Sequence, residues 1–143
     1  VLEIVEKSYQ DLAALSDEEA SRPDPGGGWS KKQVIGHLID SACNNHQRFV
    51  RAQWSEKLEF PPYRQDDWEN CQRYDLRDWH ELLDLWRALN RHLAHILEVM
   101  DQKNRDTPCV IGWLPGPDNV ISLEAVIDHY WEHLEHHLNQ INP

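Results

Sequence analysis

Apolar side chains recur every three or four residues in four long stretches, separated by segments rich in proline and glycine. Residues 1–15 carry Leu2, Val5, Tyr9, Leu12, Ala13 and Leu15 at helical spacing, which predicts a first amphipathic helix. Ser16-Asp17-Glu18-Glu19 has capping-box form and predicts one short extra turn. Two prolines and three glycines between Arg22 and Gly28 predict a loop. Ser30 with Gln33 three residues on, and Trp29 placed to pack on Val34, predict a helix over residues 31–54. From Asp75 to Met100 the stripe Leu76, Trp79, Leu82, Leu83, Trp86, Leu89, Leu93, Ile96, Leu97 and Met100 predicts a third long helix, capped by Asp75 or Asp78. Ser122 then caps a fourth, with Leu123, Ile127, Tyr130, Leu134, Leu138 and Ile141 in one stripe.

Two long connections link these helices. Pro61-Pro62 forbids a continuous helix in 55–75, leaving room for one short helix over Gln65–Gln72. The aromatics Phe60, Tyr63, Trp68 and Tyr74 in this connection are expected to roof a cleft. Residues 102–121 predict a crossover with a short extended pair, Cys109 to Trp113 and Asn119 to Ile121. The expected fold is all-α, a single domain over 1–143: a four-helix bundle, up-and-down or crossed, with long connecting loops.

The inward side of the second helix reads Val34, His37, Leu38, Ser41, Asn45, Arg48, Phe49 and Ala52. Half of it is polar. A buried polar group without a partner costs about 1–3 kcal/mol, so His37, Ser41, Asn45 and Arg48 are expected to line a cleft that holds water or a ligand.

Composition narrows the function. The formal charge is −11, with 25 acidic against 14 basic residues, and Lys31-Lys32 is the longest basic run, so the footprint of a nucleic-acid binder is missing. No apolar run approaches a membrane span, and the N-terminal V-L-E-I-V-E-K lacks the regions of a secretory signal. Cys43, Cys71 and Cys109 have neither paired spacing nor even number, which fits three free thiols in a cytoplasmic protein.

Chemistry enters through the histidines. His133 and His137, one turn apart on the last helix, flank its apolar stripe and can both reach one metal ion; His37 is the candidate third ligand. Three neutral imidazoles leave at least one coordination position open, as in catalytic sites. The donor set suits zinc or nickel and also accepts iron or cobalt. Asp40, Asp128, Glu132 and Gln140 are candidates to orient an imidazole N–H. His129 and His136 fall toward solvent, and His80, His92 and His95 lie off their stripe. A di-iron site would need Glu-x-x-His, which never occurs, and the H-E-x-x-H zinc pattern fails at Asp84 after His80-Glu81. No side chain stands out as a catalytic base or nucleophile.

W-S-x-x-x-V-x-G-H-L-I-D-S at Trp29–Ser41, together with H-x-x-H-H-x-x-Q-I at His133–Ile141, resembles the DinB-like superfamily of YfiT-type metalloenzymes across nearly the whole chain. The resemblance implies a crossed four-helix bundle, often dimeric, with a divalent metal held by His37, His133 and His137. It further implies hydrolase activity, or transfer to a low-molecular-weight thiol such as bacillithiol or mycothiol. The resemblance thus leads to the expectation of a metal-dependent enzyme acting on a small molecule and pairing as a homodimer. The competing expectation is a non-catalytic helical module that binds a ligand or dimerises through apolar surface, for which seven tryptophans give some basis.

Overall fold

The computed structural model describes residues 2–112 and 119–142. Six helices follow one another: α1 (Leu2–Ala13), α2 (Asp17–Ser21), α3 (Lys31–Ala52), α4 (Gln65–Gln72), α5 (Trp79–Val99) and α6 (Leu123–Ile141). Four are long and two short, so the predicted bundle is present, as are both short helices. The caps are the predicted ones. Ser16 and Ser30 each close a full capping box, Ser122 accepts from the Ala125 N–H, and Asp78 rather than Asp75 accepts from the Glu81 N–H.

That choice of cap corrects the start of the third long helix. Tyr74–Leu76 form a separate 3-10 turn, and Leu76, expected in the buried stripe, is exposed because the helical register begins only after Asp78. The expected extended pair exists as β2 (Pro108–Val110) and β3 (Val120–Ser122), antiparallel with Cys109 opposite Ile121; Trp113 lies outside the described residues. A third strand was not expected. β1 (Leu58–Glu59) pairs parallel with β2, and the Phe60 N–H donates to Val110 O at 3.0 Å. Two residues are too short for periodicity to register, and the pairing is non-local.

The core has two ends. At one, the first half of α3 meets the first half of α5, the last half of α6, and Val5 and Leu12 of α1. At the other, the second half of α3 meets the second half of α5, the first half of α6, and Leu58, Cys109 and Ile111 of the sheet region. α3 and α5 therefore run parallel, with α6 antiparallel to both. α1 is antiparallel to α5, since the Trp79 indole donates to Leu12 O at 3.0 Å and Arg87 pairs with Glu6 at 2.6 Å. Two parallel helices in succession make the bundle crossed rather than up-and-down. The connection 53–78 must return along the whole of α3, about 33 Å at 1.5 Å per residue.

This return strap is pinned at both ends. β1 holds it to the sheet at the far end, and Tyr74 holds it to α3 at the near end. Gly36 makes that second anchor possible: a Cβ there would lie 2.1 Å from the Tyr74 ring. The Tyr74 hydroxyl donates to Asp40 Oδ1 at 2.6 Å, and the Gln72 amide donates to the same oxygen at 2.7 Å. Gly36→Ala should therefore lower stability by about 1–3 kcal/mol, the usual cost of overpacking. Urea unfolding checks it; an unchanged midpoint would show that the ring can move aside without loss.

Candidate metal centre

His37 sits in the second turn of α3, and His133 and His137 one turn apart on the antiparallel α6. The Nε2 atoms of His37 and His133 are 3.0 Å apart, and one ring nitrogen from each of the three lies within 4.8 Å of the others. Ring centroids are 5.0 Å (37 to 133), 4.9 Å (37 to 137) and 4.6 Å (133 to 137) apart. His37 is buried and the other two are half-buried. Trp29 closes the back of the His37 ring at 5.4 Å.

These rings are poor bases. Burial, followed by the charge of His137, pushes His37 down to about 4; burial, followed by the neighbouring histidines, pushes His133 down to about 3. Burial also lowers His137, against a contact with Gln140 that raises it. All three are thus neutral at physiological pH, the state a metal ligand requires. The His37 and His133 Nδ1 atoms are buried without partners, so their Nε2 atoms remain the groups turned into the cluster. Ligand atoms about 3.3 Å apart suit a tetrahedral ion with bonds of about 2.0–2.1 Å, close to the observed approach. The residues present fit such an ion.

Gln140 fixes the third ring. Its Oε1 accepts from His137 Nδ1 at 3.0 Å and its amide nitrogen donates to His136 at 2.9 Å, leaving His137 Nε2 to face the other two histidines. Asp40 was expected in such a role and does not have it. Three residues beyond His37, it points toward the strap, where Tyr74 and Gln72 occupy Oδ1 and Oδ2 is buried unpaired. Burial raises its pKa. Asp128 and Glu132 are exposed and make no hydrogen bond to the cluster.

A cleft of about 400 Å³ opens beside His37 and His133, between α3 and α6 under the strap. Ser41, Asn45 and Arg48 line it as expected from the polar face of α3. Of the four strap aromatics, Tyr63 lines the cleft, Phe60 lies beneath Arg48, and Trp68 packs on Tyr63 at 5.0 Å. Tyr74 belongs to the α3 anchor instead. Pro62 and Gln65 of the strap and His129 and Tyr130 of α6 also line it, beyond the residues expected there. His129, exposed as expected, is nevertheless on the cleft wall, and its place in the 129, 133, 137 series at four-residue spacing was the available signal. Tyr130 was read only as core; its hydroxyl donates to Asn90 Oδ1 at 2.7 Å, which holds its ring at the cleft floor.

A helical bundle with three histidines converging at the mouth of a roofed cleft defines a class of candidate metal-centre proteins. The chain belongs to the DinB superfamily, whose profile matches residues 2–141. It is 25% identical over 139 residues to the Bacillus subtilis protein named "Putative metal-dependent hydrolase YfiT", covering 97% of this chain and 76% of that one. It is 27% identical over 134 residues to a Geobacillus thermodenitrificans protein of the same description, covering 91% and 71%. The solved structure of Bacillus subtilis YfiT, described as having an unusual four-helix bundle topology, matches with a TM-score of 0.84 over 98% of this chain and 78% of that one.

The depressed histidines make the metal-free protein acid-sensitive. Between pH 6.5 and about 4 the unfolded chain takes up protons that folded His37 and His133 refuse, so stability rises with pH across that window and is lost as pH falls. In chelator-treated protein the melting temperature should fall steadily from pH 6.5 to 4, and the double variant His37→Ala/His133→Ala should flatten that slope. A melting temperature independent of pH in the wild type would contradict it.

Proposed function

We propose that the chain is a divalent-metal-dependent enzyme acting on a small molecule, with His37, His133 and His137 as the metal ligands and hydrolysis as the reaction. One observation carries this reading: three neutral imidazoles from two distant segments converge at the mouth of a cleft large enough for a substrate. The names of the relatives support the hydrolytic direction. Bound there, a divalent ion would supply Lewis-acid polarisation and lower the pKa of a ligand at its open position. Zinc or nickel suits the donors best, with iron or cobalt as further candidates.

The chain's own residues supply the setting. Burial holds His37 and His133 unprotonated, and Gln140 orients His137. Pro62, Tyr63 and Gln65 of the strap cover the cleft and limit water. His129, on the cleft wall, is placed to carry a proton to or from the reacting molecule, the commonest task of an imidazole in catalysis. A second reaction uses the same centre: transfer to a low-molecular-weight thiol, whose sulfur replaces water as nucleophile. The cleft volume of about 400 Å³ lies within the range of single small-molecule sites, room for such a thiol or for one small substrate.

The setting we propose is a cytoplasmic homodimer. Free Cys43 and Cys71 are both exposed, which suits a reducing compartment, and a second copy could cover exposed Trp54, Leu76 and Val99.

Metal analysis tests the central claim. Purified protein should carry about one divalent ion per chain, and His37→Ala, His133→Ala and His137→Ala should each lose most of it. Gln140→Ala should keep the ligands but weaken affinity by about 10–100-fold. Metal content unchanged in all three histidine variants would remove the proposal.

A further inference from the structure

Arg48 stands at the end of the cleft away from the histidines, about three turns and about 16 Å along α3 from His37. It is 5% exposed. Its Nη1 donates to Asn45 Oδ1 at 3.3 Å, its guanidinium lies over the Phe60 ring at 5.2 Å, and its Nε is buried without an acceptor. Asn45 is itself held, donating to Ser41 O at 2.9 Å, so the guanidinium is braced on one edge and one face.

Among the described residues no carboxylate pairs with this charge. The chain has 25 acidic residues, yet none lines the cleft among the described residues. The ionisable groups felt most strongly by Arg48 are Tyr63 and Cys109, and burial keeps both neutral, with pKa values pushed up to about 12 and about 11. Burying a cation without a counter-ion is costly, and an apolar side chain would fill the space at less expense. A guanidinium with unused donors is also the side chain best shaped to grip an oxyanion.

We propose that Arg48 binds an oxyanion of the substrate, so that the site selects elongated small molecules with an anionic group at the end remote from the reacting bond. The remote position rests on the reading of the three histidines as the reacting end; the anion hold itself does not. Arg48 is in this sense a specificity residue, and the substrate class is a small carboxylate, phosphonate-like or sulfonate-like anion, with the neutral donors of Tyr63 and Ser41 beside it.

Binding of adipate and of its uncharged diamide, adipamide, is measured by calorimetry on wild-type, Arg48→Met and Arg48→Lys protein, each metal-free and cobalt-loaded. Adipate should bind wild type in both forms, about ten-fold or more tighter than it binds Arg48→Met, while adipamide binds none of them measurably better than the others. Arg48→Lys should recover part of the affinity, because it restores charge without the fork. Arg48→Met should melt at or above the wild-type temperature, since it removes an unpaired buried charge; a residue present only for structure would give a lower one. Hexylphosphonate and hexanesulfonate in parallel identify the preferred oxyanion. Equal adipate affinity in wild type and Arg48→Met, or adipamide binding as well as adipate, overturns the proposal. Failure of wild type to take up cobalt would instead defeat the metal reading, and the metal-free arm would still decide the role of Arg48.

Discussion

α3 is enclosed by α5, α6 and the return strap, and it carries Lys32, His37, Asp40, Ser41, Asn44, Asn45 and Arg48 into that enclosure. Each polar group taken from water has to be answered inside the protein. Lys32 pairs with Asp17 at 2.8 Å, Asp40 receives Tyr74 and Gln72, and Asn44 and Asn45 turn back onto α3 carbonyls. Asp40 Oδ2, His37 Nδ1 and Arg48 Nε are left without a protein partner, and of these three residues His37 and Arg48 line the cleft, at its two ends.

The crossed topology follows from the same helix. Because α3 and α5 are parallel, the chain between them must travel back along α3, and it does so over the cleft. Proline at 61 and 62 keeps that stretch extended, and the pairing of β1 with β2 and the seating of Tyr74 on Gly36 fix its ends. Gly112, at φ +80°, lies against the Pro62 ring and adds a further point of support from the sheet side. The roof of the site is therefore a consequence of helix direction and not a separate insertion.

Stability and chemistry pull against each other at this place. Three neutral rings gathered away from water resist protonation, and an unpaired guanidinium resists burial, so the cleft is the part of the molecule with most to gain from a bound ion and a bound anion. The rest of the bundle is conventionally packed, with Trp79, Trp86, Leu82 and Leu83 fully buried along α5.

Helix positions, their serine and aspartate caps, the polar face of α3 and the pair His133/His137 could be read directly from residue order, because they depend on contacts within four residues and on a period of 3.6. His37 could be singled out from its place on that polar face, and the family motifs agree with it. The third strand, the outward turn of Asp40, the exposure of Leu76, the anchor between Gly36 and Tyr74, and the place of His129 on the cleft wall could not. Each depends on which way a helix runs and rotates against partners tens of residues away. Periodicity assigns a side chain to a face, whereas only the packed bundle decides what that face meets.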